Sequence, residues 1–222
     1  MVTLITGANG GLGRAVVHTF LASGATVFGA DLAWKQKPAD NPRFHSIEAN
    51  LSEPADCERV AKQAAPVDAL VHLVGGFGGG KPIAETRDEV WGQMMNMNLG
   101  AALMMFRAVL PQMLERKRGR IVAIGSRAAV EPIANFAAYS VSKAALVALV
   151  KTLALEVADS GITANVVLPS VIDTPANRAA MPDSDFSKWV TPESIAKLLL
   201  WLVSDEAGDV NGAAIPIYGR MR

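Results

Sequence analysis

A tyrosine and a lysine on one helix face are the residues of this chain best suited to chemistry. Tyr139 and Lys143 stand four positions apart in a stretch with helical periodicity, so their side chains share a face. A free tyrosine has a pKa of about 10 and is a poor base at neutral pH, but a neighbouring ammonium favours the phenolate. Ser126 follows the apolar run 120–125, at the end of a predicted strand. This spacing predicts proton transfer at Tyr139.

A glycine-rich turn near the N-terminus predicts a nucleotide-binding site. The apolar run 2–6 leads into the sequence TGANGGLG at residues 6–13, and a helical stretch follows. Glycines allow backbone N–H groups to approach a pyrophosphate, and the N-terminus of a helix adds partial positive charge. We therefore expect a dinucleotide at this turn.

The predicted cofactor preference depends on an acidic residue at the end of the next strand. Asp31 follows the apolar run 25–30, eighteen positions after Gly13. A carboxylate at this place accepts hydrogen bonds from the adenosine ribose hydroxyls and repels a 2′-phosphate. We therefore expect NAD(H) to be preferred, while Lys35 and Lys37 leave the binding of NADP(H) open.

Short apolar runs alternate with helical stretches along the whole chain. The predicted strands are residues 2–6, 25–30, 43–49, 69–74, 120–125, 163–168 and 213–217. The predicted helices are residues 12–23, 54–65, 86–97 running into 101–117, 138–159 and 192–203. This alternation is typical of a parallel sheet with helices on both faces and right-handed crossovers. We predict a single α/β domain over residues 1–222, with a doubly wound, Rossmann-like sheet of about seven strands.

The composition argues against several functional classes. Of 222 residues, 50% are hydrophobic and 19% are charged, and the 21 basic and 21 acidic residues cancel. A neutral chain lacks the electrostatic footprint of a nucleic-acid-binding protein. The longest strongly apolar runs, such as 144–150 and 198–203, fall short of the about 18 residues that span a membrane. Cys57 is the single cysteine and has no metal-ligand companion at useful spacing. We expect a soluble cytoplasmic protein without a metal, a nucleic-acid partner or a membrane partner.

Together these motifs make the chain similar to the short-chain dehydrogenase/reductase family over essentially its full length. The matching features are TGxxxGxG at residues 6–13, Asp31, Asn98-Leu99-x-Ala101, Ser126, Tyr139-x-x-x-Lys143 and Pro169-x-x-x-x-Thr174. The resemblance implies hydride transfer between a nicotinamide and a small carbonyl or alcohol substrate. It implies that Tyr139 is the acid/base and that Ser126 hydrogen-bonds the substrate oxygen. It also implies that Lys143 binds the nicotinamide ribose and that Asn98 holds a water of the proton relay.

The same resemblance implies which residues bind the cofactor. They are Gly7, Asn9, Gly11, Leu12, Gly13, Asp31, Asn50, Leu51, Gly75, Tyr139, Lys143, Pro169, Ile172 and Thr174. The sequence departs from the family pattern in three places: the segment His72-Leu73-Val74-Gly75 replaces the usual Asn-Asn-Ala-Gly, Asn50 replaces an aspartate beside the adenine, and Ser170 replaces the glycine after Pro169. We interpret His72 as a core residue, which leaves the cofactor contacts of its segment to the backbone of Gly75.

A narrower resemblance links two segments to quinoid dihydropteridine reductases, a branch that uses NADH. The loop 75–79 (GGFGG) is similar to the glycine–aromatic–glycine loop of that branch, and residues 173–189 are similar to its substrate-side segment. That branch lacks the serine and the asparagine present here as Ser126 and Asn98, so the substrate stays open. If residues 175–190 form a loop over the nicotinamide, four side chains line the substrate pocket; otherwise the loop packs its own aromatic residues. The four are Phe77, Met181, Phe186 and Trp189.

The alternative of another class is a non-catalytic dinucleotide-binding sensor. A chain without chemistry has no reason to keep Asn98, Ser126, Tyr139 and Lys143 together. An extended sugar-nucleotide epimerase does not fit, because no residues remain for a separate substrate domain.

Two helices predict assembly with further copies of the chain. Residues 101–110 and 144–155 carry one charged residue each, Arg107 and Lys151. Helices so poor in charge suit a subunit interface, and the family usually assembles through them. We expect a homodimer or a homotetramer.

Overall fold

Seven parallel strands form one sheet in the part of the chain that the structure, a computed structural model, describes: residues 1–34 and 40–221. Lys35 and Lys37 lie outside the described residues. The strands are β1 (Val2–Thr6), β2 (Thr26–Asp31), β3 (Phe44–Glu48), β4 (Ala69–His72), β5 (Gly119–Ile124), β6 (Ile162–Pro169) and β7 (Ala214–Ile217). Their order is β3-β2-β1-β4-β5-β6-β7. The predicted doubly wound, Rossmann-like single-domain fold is confirmed, and each predicted strand is found to within two residues.

The central strands are buried on both faces because helices cover the sheet on each side. Successive residues of a strand point to opposite faces, so Leu4 packs in one core cluster and Ile5 in the other. All eight residues of β6 are buried. This double coverage explains why the strands appear in the sequence as continuous apolar runs.

The helices form a layer on each face of the sheet. On one face, α1 (Gly11–Ala22) packs against α7 (Pro192–Leu202). On the other face lie α2 (Pro54–Gln63), α4 (Ala101–Arg116) and α5 (Ala137–Glu156). The predicted loop 175–190 contains a short helix, α6 (Pro175–Ala180), and a 3₁₀ turn at Phe186–Lys188. A proline in the first turn of α6, directly after a threonine N-cap, explains this helix locally.

A π-helical turn joins the two halves of the longest helical segment. The helix α3 (Asp88–Met95) continues through the π turn Asn96–Gly100 into α4. The sequence predicted two helices that run into each other between residues 97 and 101, which is where this turn lies. Such turns often occur at functional sites, and this one contains Asn98.

Two helical segments lie where they were predicted and are apolar over most of their length. Residues 88–116 and the helix α5 are long and apolar enough, by length and composition, to cross a membrane. The uninterrupted apolar runs within them are shorter, because charged residues such as Lys151 interrupt the run without ending the helix. Both segments pack on the sheet through buried side chains such as Met105 and Leu146. Core helices of soluble proteins pass the same test, so these two segments are weak evidence for a membrane span.

The strand order brings the predicted functional residues to one edge of the sheet. The order reverses between β1 and β4, and open parallel sheets bind ligands outside the carboxyl ends of the strands at such a point. Thr6, Asp31 and His72 end β1, β2 and β4, and Ser126 follows the end of β5.

Candidate active site

The turn after β1 has the shape of a phosphate-binding turn. Gly7 has a φ of +70°, a conformation that favours glycine. A Cβ on Gly13 would lie 2.1 Å from the carbonyl oxygen of Gly7, so a side chain does not fit there. Gly10 is the N-cap of α1 and brings no side chain to its first turn, which suits the binding of an anion by the backbone N–H groups. These features fit the pyrophosphate of a dinucleotide.

The carboxylate of Asp31 is joined to this turn by hydrogen bonds. It accepts from the backbone N–H of Asn9 at 2.8 Å and from that of Leu32 at 2.8 Å. Asn9 donates its side-chain amide to the carbonyl of Ala33 and accepts from Nη2 of Arg14 at 2.6 Å. A carboxylate has about four acceptor sites, so Asp31 keeps capacity for ribose hydroxyls.

The segment after β6 closes against the phosphate-binding turn. Thr174 caps α6 by accepting a hydrogen bond from the N–H of Asn177 at 3.2 Å. A Cβ on Gly11 would lie 2.9 Å from the methyl group of Thr174. The carbonyl of Ile172 accepts from Nδ2 of Asn177 at 2.8 Å, and Pro169 ends β6. The predicted cofactor-binding residues Pro169, Ile172 and Thr174 therefore belong to one segment that touches the turn.

Two residues of the predicted adenine side differ in exposure. Asn50 is exposed, and its side-chain oxygen accepts from the N–H of Ser52. The side chain of Leu51 is buried in the core, so only its backbone can reach a ligand. Of these two residues, only Asn50 has a side chain that can contact a ligand.

Tyr139 lies half-buried near the start of α5, next to Ser126. Burial raises the pKa of Tyr139 above its ordinary value, and a hydrogen bond with the Ser126 hydroxyl opposes that rise. The expected lowering of this pKa by the Lys143 ammonium is not found, and Ser126 is the group that opposes the effect of burial. The phenol is protonated at neutral pH and is suited to donate a proton.

The ammonium of Lys143 is buried at the carboxyl end of β5. Its Nζ donates to the carbonyl oxygen of Ile124 at 2.9 Å, and the residue is 5% exposed. Burial lowers the pKa of Lys143 to about 8, because the charged form loses hydration. Its charge is therefore sensitive to pH just above neutrality.

Asn98 is fixed by hydrogen bonds to the loop after β4 and to α5. Its Oδ1 accepts from the N–H of Gly76 at 2.9 Å, and its Nδ2 donates to the carbonyl of Gly76 at 3.1 Å. Nδ2 also donates to the hydroxyl of Ser142 at 3.0 Å. A Cβ on Gly75 would lie 2.7 Å from Oδ1 of Asn98 and 2.9 Å from Nζ of Lys143. The amide and the ammonium therefore converge on Gly75.

His72 is a core residue, as interpreted from the sequence. It is fully buried, and its Nδ1 lies 2.9 Å from Oγ1 of Thr6. Burial, and to a lesser degree the charge of Lys143, lowers the pKa of His72 to about 3. The imidazole is neutral at physiological pH and packs edge-on against Phe106.

The four predicted pocket residues fall into two groups. Phe77 is 65% exposed, and its ring meets that of Tyr139 edge-on at 4.9 Å. The rings of Phe186 and Trp189 contact each other at 4.7 Å, and Arg178 lies over Phe186. Trp189 is buried. Its contact with Phe186 fits the alternative in which the loop packs its own aromatic residues. Met181 is half-buried and follows α6.

Three residues of the site were missed at the level of sequence. Ser142 meets Asn98, Arg14 meets Asn9, and Phe136 stacks on Phe77 with ring centroids 4.8 Å apart. Ser142 and Phe136 lie within four residues of Tyr139, which is the only signal that could have drawn attention to them.

Two clefts lie beside these residues. One, of about 540 Å³, runs between α1 and the segment after β6 and is lined by Gly11, Arg14, His18, Thr174, Arg178 and Glu193 among others. The other, of about 330 Å³, is an apolar groove at the start of α5 lined by Ile83, Ile133, Ala137, Val141 and Ala144 among others. Within residues 1–34 and 40–221, no three His, Cys, Asp or Glu side chains group to hold a metal ion.

The sequence is similar to a known protein family and to individual members of it. The sequence model of the short chain dehydrogenase family matches residues 1–185. The 3-oxoacyl-[acyl-carrier-protein] reductase FabG of Salmonella typhimurium is 31% identical, and the match covers 99% of this chain and 96% of that protein.

Solved structures show the same fold. The crystal structure of a short-chain dehydrogenase/reductase family oxidoreductase from Burkholderia thailandensis has 32% identity and a TM-score of 0.89, with 98% of this chain and 90% of that chain covered. ElxO with NADP bound has 22% identity and a TM-score of 0.90, with 98% and 96% covered. At that identity the second likeness concerns the fold alone.

Proposed function

Because the chain belongs to the short-chain dehydrogenase family of oxidoreductases, we propose that it interconverts a small carbonyl compound and an alcohol, with NAD(H) as the preferred cofactor. The observation that carries this proposal is the convergence at the end of β5. There the Tyr139 phenol lies beside Ser126, and Lys143 meets Asn98 at Gly75.

The roles of the side chains follow from their chemistry. When bound, the nicotinamide supplies or takes up the hydride, and the glycine-rich turn and Asp31 would hold the rest of the dinucleotide. Ser126 and Tyr139 donate hydrogen bonds to the substrate oxygen, where negative charge develops during reduction. The protonated phenol of Tyr139 then delivers its proton to that oxygen. The raised pKa of Tyr139 keeps the phenol protonated at neutral pH, as the donor role requires.

Lys143 and Asn98 assist this proton transfer. The buried Lys143 ammonium would bind the ribose of the nicotinamide beside Gly75, which positions the cofactor next to the phenol. Asn98 fixes the loop after β4 through both backbone groups of Gly76, which keeps Gly75 against the ammonium. The backbone of Gly75 is then the cofactor contact on this side.

The preference for NAD(H) is supported by Asp31. Its carboxylate is held at the turn by two backbone N–H groups, so it cannot easily swing away from an incoming ligand. A 2′-phosphate placed there would meet this negative charge.

The test is a Tyr139→Phe variant in a screen for NADH oxidation with small diketones, β-ketoacyl thioesters and steroids. Loss of the acid should reduce turnover by a factor of about 10² to 10⁴ while NADH still binds. Tyr218→Phe is the matched control, because Tyr218 is the second of two tyrosines. Unchanged turnover in Tyr139→Phe would refute the assigned role.

A quinonoid dihydropteridine is the second candidate substrate. It is favoured by the segment 173–189, which resembles the corresponding part of that reductase branch and touches the phosphate-binding turn through Thr174. Adding quinonoid dihydropteridine to the same screen separates the two candidates. A non-catalytic sensor would bind NADH and oxidise it with none of these compounds.

We also propose a cytoplasmic homo-oligomer, assembled in part through α5. The exposed face of this helix carries Val141 and Leu155, which are 46% and 80% exposed, and the apolar groove at its start continues that surface. Such a surface on a helix poor in charge favours contact with a second copy.

A further inference from the structure

An aromatic ring with one face in solvent lies directly beside the Tyr139 phenol. Phe77 is 65% exposed, although burying a phenylalanine side chain stabilises a protein by about 1.5–3 kcal/mol. Its ring stacks on Phe136 at an interplanar angle of 25° and meets Tyr139 edge-on at 74°. The ring of Phe77 is therefore packed on one face by Phe136 and contacted by Tyr139, and the rest of its surface is exposed to solvent.

The loop that carries Phe77 is fastened at both of its ends. On the N-terminal side, Asn98 binds the N–H and the carbonyl of Gly76. On the C-terminal side, the N–H groups of Gly80 and Lys81 both donate to the carbonyl of Asn135, at 2.8 and 3.1 Å. Phe77 is thus held in place by contacts on each side and is not the tip of a loose loop.

The glycines around Phe77 are what allow this close approach. A Cβ on Gly79 would lie 2.8 Å from the ring of Phe136, and its φ of +146° disfavours any other residue. A Cβ on Gly76 would lie 2.1 Å from Sδ of Met97. A side chain at Gly79 would push Phe136 away from the loop, and one at Gly76 would collide with Met97.

We propose that Phe77, backed by Phe136, is a stacking platform that selects substrates whose carbonyl group is conjugated to a flat ring. This inference rests on the proposed reduction of a carbonyl at Tyr139. A flat ring stacked on Phe77 places an attached carbonyl close to the neighbouring phenol, and offset stacking of two rings is favourable beyond the burial of area. A saturated ring of the same size fills the space but has no flat face to stack.

The platform is tested with acetophenone and cyclohexyl methyl ketone, which differ in the flatness of the ring. Their Kd values are measured by calorimetry in the NAD⁺ complex, which cannot reduce a ketone, and their kcat/KM values by NADH oxidation. The wild-type protein should bind acetophenone about tenfold more tightly than cyclohexyl methyl ketone. Phe77→Leu should reduce the ratio of the two Kd values to about one and should shift the ratio of the two kcat/KM values by the same factor. Trp201→Leu, which removes an exposed aromatic residue from α7, is the control and should keep the wild-type preference.

The two readouts separate failure of the platform from failure of the proposed function. Binding preference without turnover of any carbonyl would support the platform and refute the reductase proposal. Turnover of both ketones with equal Kd values, or a preference that persists in Phe77→Leu, would refute the platform alone. If Phe77→Leu forms a smaller oligomer than the wild-type protein and keeps the preference for acetophenone, Phe77 belongs to a subunit interface. That result would also refute the platform.

Discussion

Burial of the Lys143 ammonium predicts a measurable dependence of stability on pH. The pKa of this group falls from 10.5 to about 8 on folding, mainly because the charge loses hydration. One pKa unit corresponds to about 1.4 kcal/mol, so the charged form costs the folded state about 3 kcal/mol. Because the folded pKa is the lower one, this cost is complete below pH 8 and disappears as the pH rises from 8 towards 10.5.

Replacement of Lys143 by methionine removes this cost with little change in volume. The contribution of Lys143 to the free energy of unfolding should rise by about 2.5 kcal/mol between pH 7 and pH 10 in the wild-type protein, and this rise should be absent from Lys143→Met. The difference between the two proteins therefore changes by that amount. Groups that titrate in both proteins cancel in the comparison.

The measurement is denaturant unfolding of the protein without cofactor at the two pH values. Lys151→Met is the control, because Lys151 lies exposed on the same helix, and it should follow the wild-type protein at both pH values. A difference between wild type and Lys143→Met that is independent of pH would show that the ammonium is not buried as described.

Three further results are expected. Replacing Asp31 by serine should weaken NADH binding by about tenfold or more, since a hydrogen bond to a charged group contributes about 1.5–3 kcal/mol. The same variant should show a smaller preference for NADH over NADPH. A wild-type protein that binds NADPH more tightly than NADH would contradict the role assigned to Asp31. Gly13→Ala should lower stability by about 1–3 kcal/mol and impair NADH binding, because its Cβ meets the Gly7 carbonyl at 2.1 Å, and unfolding curves with and without NADH measure both effects. Light scattering should show a dimer or tetramer that Val141→Glu shifts towards the monomer, whereas a wild-type monomer at micromolar concentration would argue against assembly.

The fold was predictable from the sequence because its signals are local. A parallel strand covered on both faces needs apolar residues throughout, so β1 and β6 are visible as continuous runs. The tight glycine turn after β1 was equally clear, because the positive φ of Gly7 and the close backbone approach at Gly13 favour glycine. The long helix α5 was predicted as well, because Lys143 and Lys151 fit the helical pattern and do not end it.

By itself, the sequence determined the α/β class, the glycine-rich turn after β1 and the placement of Tyr139 and Lys143 on one helix face. These depend on residue type and on spacings of a few residues. Only the tertiary structure decided the state of those groups. Burial raises the pKa of the Tyr139 phenol, and Lys143 donates to the carbonyl of Ile124, nineteen positions away in the chain. Desolvation and long-range hydrogen bonds depend on which atoms meet after folding, and the contact between Phe77 and Phe136 arises in the same way.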